Sequence, residues 1–308
     1  MARVIQRLLS AKDRNMTWFN NPQKKIQSIL KKIKNGQASE TDFASLAELL
    51  DEQPSVIPET MATLIILIEK DDIKASSSAI SALNMVVEKD LGLVANSLDA
   101  IVGCMKRGKK DSCQDRILDT LEILLKLCQK YPEKMGIAVS ELFPCLGNAS
   151  WMVREKAYFI LAFLAITRPE FFFGRSKELI RALGGLNIDE RIYACRLINK
   201  IADRDPKIVA DTSDILQDLL HYDPNSALRS EAASAMEKLK VNAEIVKPGA
   251  AGNNSPGNVE ANICIEKDAC EPAVLYPPDE KDILNLLEQL NLGHLADKKI
   301  SSHIQAIK

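Results

Sequence analysis

Histidine is scarce in this chain: His221, His294 and His303 are the only three in 308 residues. None opens a His-Glu-x-x-His helix, so zinc hydrolysis of that kind is excluded. There is no glycine-rich phosphate loop and no Gly-x-Ser-x-Gly nucleophile turn. The pair Gly184-Gly185 falls where a helix ends, a C-cap position. Cysteine–histidine catalysis would need a thiol to meet His221, which better suits the C-terminus of its own helix. No apolar run reaches the 18 or so residues of a membrane span. The start, Met1 to Ser10, is too interrupted by Arg3 and Arg7 for a secretory signal. Seven cysteines are an odd number. Cys113, Cys128, Cys145 and Cys195 fall in helical patterns, where thiols act as small hydrophobes. Cys264 and Cys270 lack the histidine or second cysteine pair of a zinc site. These absences point to a non-enzymatic, reducing, cytoplasmic protein with no cofactor and no metal.

What the chain does have is a repeat. Units open near Ser112, Ser150, Ile188 and Ser226, in three successive steps of 38 residues. Within the units, Tyr131-Pro132-Glu133, Arg168-Pro169-Glu170 and Asp205-Pro206-Lys207 recur every 37 residues. Proline is tolerated at the first position of a helix and breaks its interior, so each one closes a helix and opens the next. Apolar residues before each proline follow a period of 3.6: Ile117, Leu121, Leu124 and Cys128 in one unit, Val153, Ala157, Ile160 and Leu164 in the next. A second helix is expected after each proline, carrying Ile137, Leu142 and Phe143, then Leu179, Ile180 and Leu183, then Ile208, Ile215, Leu216 and Leu219.

Ala157 to Ile166 is ten residues without a charge. A helix apolar on every side needs neighbours on several sides. Backbone ordering costs about 1–2 kcal/mol per residue, and a buried Leu or Phe returns about 1.5–3 kcal/mol. A single helix pair with its few large side chains falls short, so the pairs must stack. Ser39–Leu50 with Pro54–Ile68, and Ile73–Val87 with Leu91–Met105, continue the pattern upstream. The expectation is an all-α solenoid of about five and a half repeats over residues 38–240.

Period and content resemble the HEAT and armadillo-like repeat superfamily. The stretch Ser150-Trp151-Met152-Val153-Arg154-Glu155-Lys156-Ala157 is closest to a HEAT first helix. The resemblance implies a right-handed α-α superhelix that binds a protein or peptide along an inner wall of helices. It does not imply an activity, since such repeats host many functions. The His-Glu pairs that hold iron in the HEAT-like deoxyhypusine hydroxylases are missing here.

The two ends read differently from the body. Residues 1–35 hold nine Lys/Arg against the single acid Asp13, leaving 31 basic and 41 acidic residues elsewhere. Residues 1–37 are either basic capping helices for the stack or a surface for nucleic acid or anionic membrane. Trp18-Phe19 would fill the cap's own core or stack against such a partner. Residues 241–278 hold five of the 13 prolines and no periodicity, as expected of a disordered linker. Residues 279–308 then carry an amphipathic helix with Ile283, Leu284, Leu287 and Leu290 on one stripe.

Candidate binding residues follow from the second helices, which line the concave side in resembling folds. Arg175, Lys177 and Arg181 precede Asp211, Asp214 and Asp218 on the next unit. Rows of opposite sign either pair with each other or form a bipolar groove for a charged peptide. The main reading is therefore a scaffold or adaptor for a protein or peptide partner. The alternative is binding to nucleic acid or an anionic membrane surface through Arg3, Arg7, Lys24, Lys25, Lys31 and Lys32. The basic run Lys106, Arg107, Lys109 and Lys110, expected as a turn between units, would add phosphate contacts.

Overall fold

The computed structural model describes residues 21–70, 72–111 and 114–245. Arg3, Arg7, Trp18 and Phe19, and the stripe from Ile283 to Leu290, lie outside the described residues. Within them are thirteen α-helices, six 3-10 segments and no strand.

Helix α1 (Pro22–Lys34) starts at Asn21, whose side chain accepts from the Gln23 amide, with Pro22 in the first turn. It buries Ile26, Ile29 and Ile33 and turns its lysines to solvent. Helix α2 (Glu40–Glu52) is opened by a capping box between Ser39 and Asp42. Lys32 of α1 donates to the Asp42 carboxylate at 2.7 Å, joining the two helices. That bond and those from Ser39 pull the Asp42 carboxyl down to about 2.

The chain then alternates. A first row contains α4 (Ile73–Val86), α7 (Gln114–Lys130), α9 (Trp151–Thr167), α11 (Ile188–Ala202) and α13 (Ser226–Ile245). Each of these packs on the next. The second row contains α3 (Ile57–Glu69), α5 (Leu91–Asn96), α6 (Leu98–Asp111), α8 (Val139–Leu142), α10 (Ser176–Leu183) and α12 (Ser213–Tyr222). One contiguous apolar core runs between the rows from Ile26 to Met236. The mid-stack helix α9 buries ten residues, including Tyr158, Phe159, Ile160 and Leu161 on adjoining sides. The all-α solenoid expected from the repeat is the observed fold.

Three local expectations need correction. Lys106, Arg107, Lys109 and Lys110 are not in a turn, because α6 continues through Asp111. Lysine and arginine are good helix formers, and the interior glycines, Gly103 and Gly108, cost only about 1 kcal/mol each. Arg107 also reaches back to donate to the Ile68 carbonyl at 2.6 Å, and Lys106 lies 3.5 Å from Glu141. Second, the limbs after Pro132, Pro169 and Pro206 begin as 3-10 turns rather than α-helix. In the first of these, Pro144 removes another donor, leaving only four residues of α-helix in α8. Third, α13 runs to Ile245, past the expected start of the linker at 241.

An arginine recurs near the start of the first-row helices: Arg116, Arg154, Arg191 and Arg229. Arg154 donates to the carbonyls of Asn148 and Ala149, and Arg229 makes the same pair of bonds to Asp223 and Pro224. Arg154 also pairs with Asp189, and Arg191 with Asp223, so these two arginines tie their turns to the following unit.

Candidate functional site

An open groove of about 570 Å³ crosses three successive helices of the first row. Helix α9 contributes Glu155, Tyr158 and Phe159; α11 contributes Tyr193, Arg196, Asn199, Lys200 and Asp203; α13 contributes Ser234 and Lys238. These meet because neighbouring helices pack in a register of 35 residues. Tyr158 stacks on Tyr193 with ring centroids 4.7 Å apart and planes 16° from parallel. Arg196 donates to Glu231 at 2.7 Å, Ser234 donates to the Asn199 side chain at 3.4 Å, and Lys238 pairs with Asp203. Each step spans the same 35 residues.

The electrostatics fit recognition better than proton transfer. Burial pushes the Tyr158 hydroxyl up to about 12, against the pull of Arg196. Tyr193 is also raised, by burial and then by Glu155 and Asp189. Both phenols therefore stay protonated near neutrality and offer donors. Asn199 is 8% exposed. Its side-chain oxygen accepts from Ser234, and the residue lines the groove. The Glu155 carboxylate has no salt bridge or hydrogen bond among the described residues, and it sits beside the tyrosine rings. The groove thus offers a flat aromatic platform, an amide that can bond to backbone, and a free carboxylate.

None of the residues singled out from the second limbs lines this groove. Arg175 precedes α10 and is engaged within the fold: it donates to the Phe171 carbonyl at 2.8 Å, to Ser140 and to the Gly136 carbonyl. Lys177 and Arg181 are exposed on α10, and Arg181 acts on Glu190. Asp211, Asp214 and Asp218 are exposed on the next unit. Among the described residues no ion pair joins these two rows, so the expected pairing of opposite signs does not occur. Of the basic candidates, Lys24, Lys25, Lys31 and Lys32 are exposed on α1, with Lys32 held by Asp42. Lys109 and Lys110 lie on α6 by their backbone. His221 sits in the last turn of α12, as expected. Cys104, Cys128, Cys145 and Cys195 are buried and form no disulfide, and burial pushes the Cys195 thiol up to about 12. No described helix is long and apolar enough to cross a membrane.

Helix pairs stacked in series on one core define an all-α solenoid of helical repeats. No protein-family model matches the chain, and no curated protein matches it. Among solved structures it is similar to the designed armadillo repeat protein YIII(Dq)4CqI at 19% identity. That alignment covers 71% of this chain and 99% of the other, with a TM-score of 0.44. A designed armadillo repeat protein in complex with peptide (KR)4 aligns at 18% identity over 71% of this chain and 99% of that one, with a TM-score of 0.45. An engineered protein aligns at 16% identity over 72% and 92%, with a TM-score of 0.43. The fold rests on the helix stacking itself, not on likenesses of this size.

Proposed function

We propose that the protein is a non-enzymatic scaffold that holds an extended peptide segment of a protein partner in the groove across α9, α11 and α13. The observation that carries this reading is the Tyr158–Tyr193 platform beside Asn199 and Glu155. An extended strand leaves its amides and carbonyls unpaired, and the Asn199 amide can satisfy one such pair. A cationic side chain of the peptide suits the ring face of Tyr193 with Glu155 beside it. The four buried thiols support a reducing, cytoplasmic setting for this binding.

Selection from a library of displayed peptides, followed by affinity measurement on the full chain, tests the reading. Tyr193→Ala and Asn199→Ala are each expected to weaken selected peptides about tenfold or more, equivalent to about 1.4 kcal/mol. Folded variants that keep wild-type affinity would refute it.

The exposed lysines of α1 support a second reading, a surface for nucleic acid or anionic lipid. It calls for binding that falls steeply with salt and survives Tyr193→Ala; groove binding shows the reverse pattern.

A further inference from the structure

Helices α10 and α12 are neighbours in the second row and turn matching faces to solvent. Over residues 173–184 the exposed positions are Phe173, Gly174, Lys177, Ile180, Arg181 and Gly184. Each has an exposed counterpart 37 residues further on: Ala210, Asp211, Asp214, Gln217, Asp218 and His221. The same step separates Pro169 from Pro206, which open the two limbs, so counterparts stand level in neighbouring repeats. Spacings of three and four put each set on one helical face.

The counterparts are opposites. Lys177 and Arg181 on one helix answer Asp214 and Asp218 on the next, a reversal of sign at both positions. Among the described residues none of these four makes an ion pair. Phe173, 58% exposed, answers the small Ala210, and the side-chain-free Gly174 and Gly184 answer the larger Asp211 and His221. Ile180 answers Gln217, whose stem is aliphatic.

We propose that this face joins two copies of the chain about a two-fold axis running between α10 and α12 and parallel to them. That rotation keeps each level along the helices and exchanges the two rows. Helix α10 of one copy then lies on α12 of the other, and every contact occurs twice. Lys177 meets the partner's Asp214, Arg181 meets the partner's Asp218, and the Phe173 ring covers the partner's Ala210. An axis across the helices would set α10 on α10 and bring like charges together, so the pattern selects one arrangement. It also selects the occupant. Nucleic acid or a ligand of a single sign is repelled by one of the two rows, whereas a second copy supplies both signs at the required spacing. About a dozen residues a side is fewer than the roughly 20–30 of a stable interface, so the dimer dissociates in the micromolar range.

Sedimentation velocity of the full chain, from about 1 to 300 μM in low salt, tests the face. The expected result is a monomer that passes to a dimer, with the midpoint moving to higher concentration as salt screens the pairs. Lys177→Asp with Arg181→Asp should raise the midpoint about tenfold or more, and Asp214→Lys with Asp218→Lys should do the same. An equimolar mixture of these two variants should dimerise again, as should a chain carrying all four changes. Recovery on mixing cannot come from a misfolded variant. Neutral changes, Lys177→Gln with Arg181→Gln, should raise the midpoint about threefold and cover the case of a reversal that costs the fold. A wild-type chain that stays monomeric throughout overturns the proposal and leaves the two rows to a bipolar ligand. A dimer indifferent to both reversals overturns it by placing the contact on another surface, and so does a mixture of folded variants that stays monomeric.

Discussion

At the scale of single residues, two glycines with the same backbone make opposite demands. Gly36 and Gly174 both sit in the left-handed region, at φ 64° and 71°. An alanine side chain in that region costs about 1–2 kcal/mol from its own backbone alone. A Cβ on Gly174 would meet nothing within 4 Å, whereas one on Gly36 would lie 2.6 Å from the Lys74 Cβ. Gly174→Ala is therefore expected to cost about 1–2 kcal/mol, and Gly36→Ala about 1–3 kcal/mol more, as α1 is pushed off α4. Urea midpoints of the two variants measure this directly. Equal losses would mean the contact at Lys74 gives way without resistance.

Residues also mark where sequence reading succeeds and where it stops. Pro132, Pro169 and Pro206 fall at the start of successive second limbs because a missing N–H and a fixed φ act locally, and local effects can be read from sequence. The groove could not be read that way. Tyr158, Tyr193 and Asn199 look like ordinary members of apolar helices, and only the packing register brings them together. A signal was present, in the pairs 158/193, 196/231, 199/234 and 203/238, all 35 residues apart. That spacing is about one helical turn shorter than the repeat, so a search at the repeat period misses it. The arginine series shows the converse case. It keeps the repeat period, so it was open to a sequence search that looked beyond apolar residues and proline.

At the scale of elements, helix ends decide what the stack tolerates. The start of α2 depends on Asp42, which accepts from the Ser39 amide and from Lys32. Its carboxyl lies at about 2 in the fold, below the ordinary 3.8. A group lowered on folding contributes stability above its unfolded value and loses it as pH falls toward the folded value. Asp42→Asn is thus expected to lower stability at pH 6, and the gap from wild type should narrow below pH 4 and close near pH 2. Denaturation midpoints across that range test it; a gap constant with pH would assign the effect to the shape of the cap and not its charge. The same dependence on ends explains the weakest part of the second row. Gly136 and Pro144 bracket α8, and the limb holds its place through Met135, Val139, Leu142 and Phe143 in the core rather than through helical length.

At the scale of the whole molecule, stability should be graded instead of uniform, because each repeat packs mainly on the repeats before and after it. Helix α9 has α7 on one side and α11 on the other, and ten of its residues are buried. Helix α1 closes one end of the described stack with three buried isoleucines. In such an array the free energy of local opening is highest mid-stack and falls toward the ends. Amide hydrogen exchange is therefore expected to show its slowest protons in α9 and α11 and faster exchange in α1. Leu161→Ala removes a fully buried side chain from the middle, at a cost of about 2–5 kcal/mol. The loss should appear first in α7, α9 and α11, with α1 and α2 changed least. If exchange instead accelerates equally in every helix, the molecule opens as one cooperative globule. The nearest-neighbour account of the stack, which follows from burial between successive units, would then have to be abandoned.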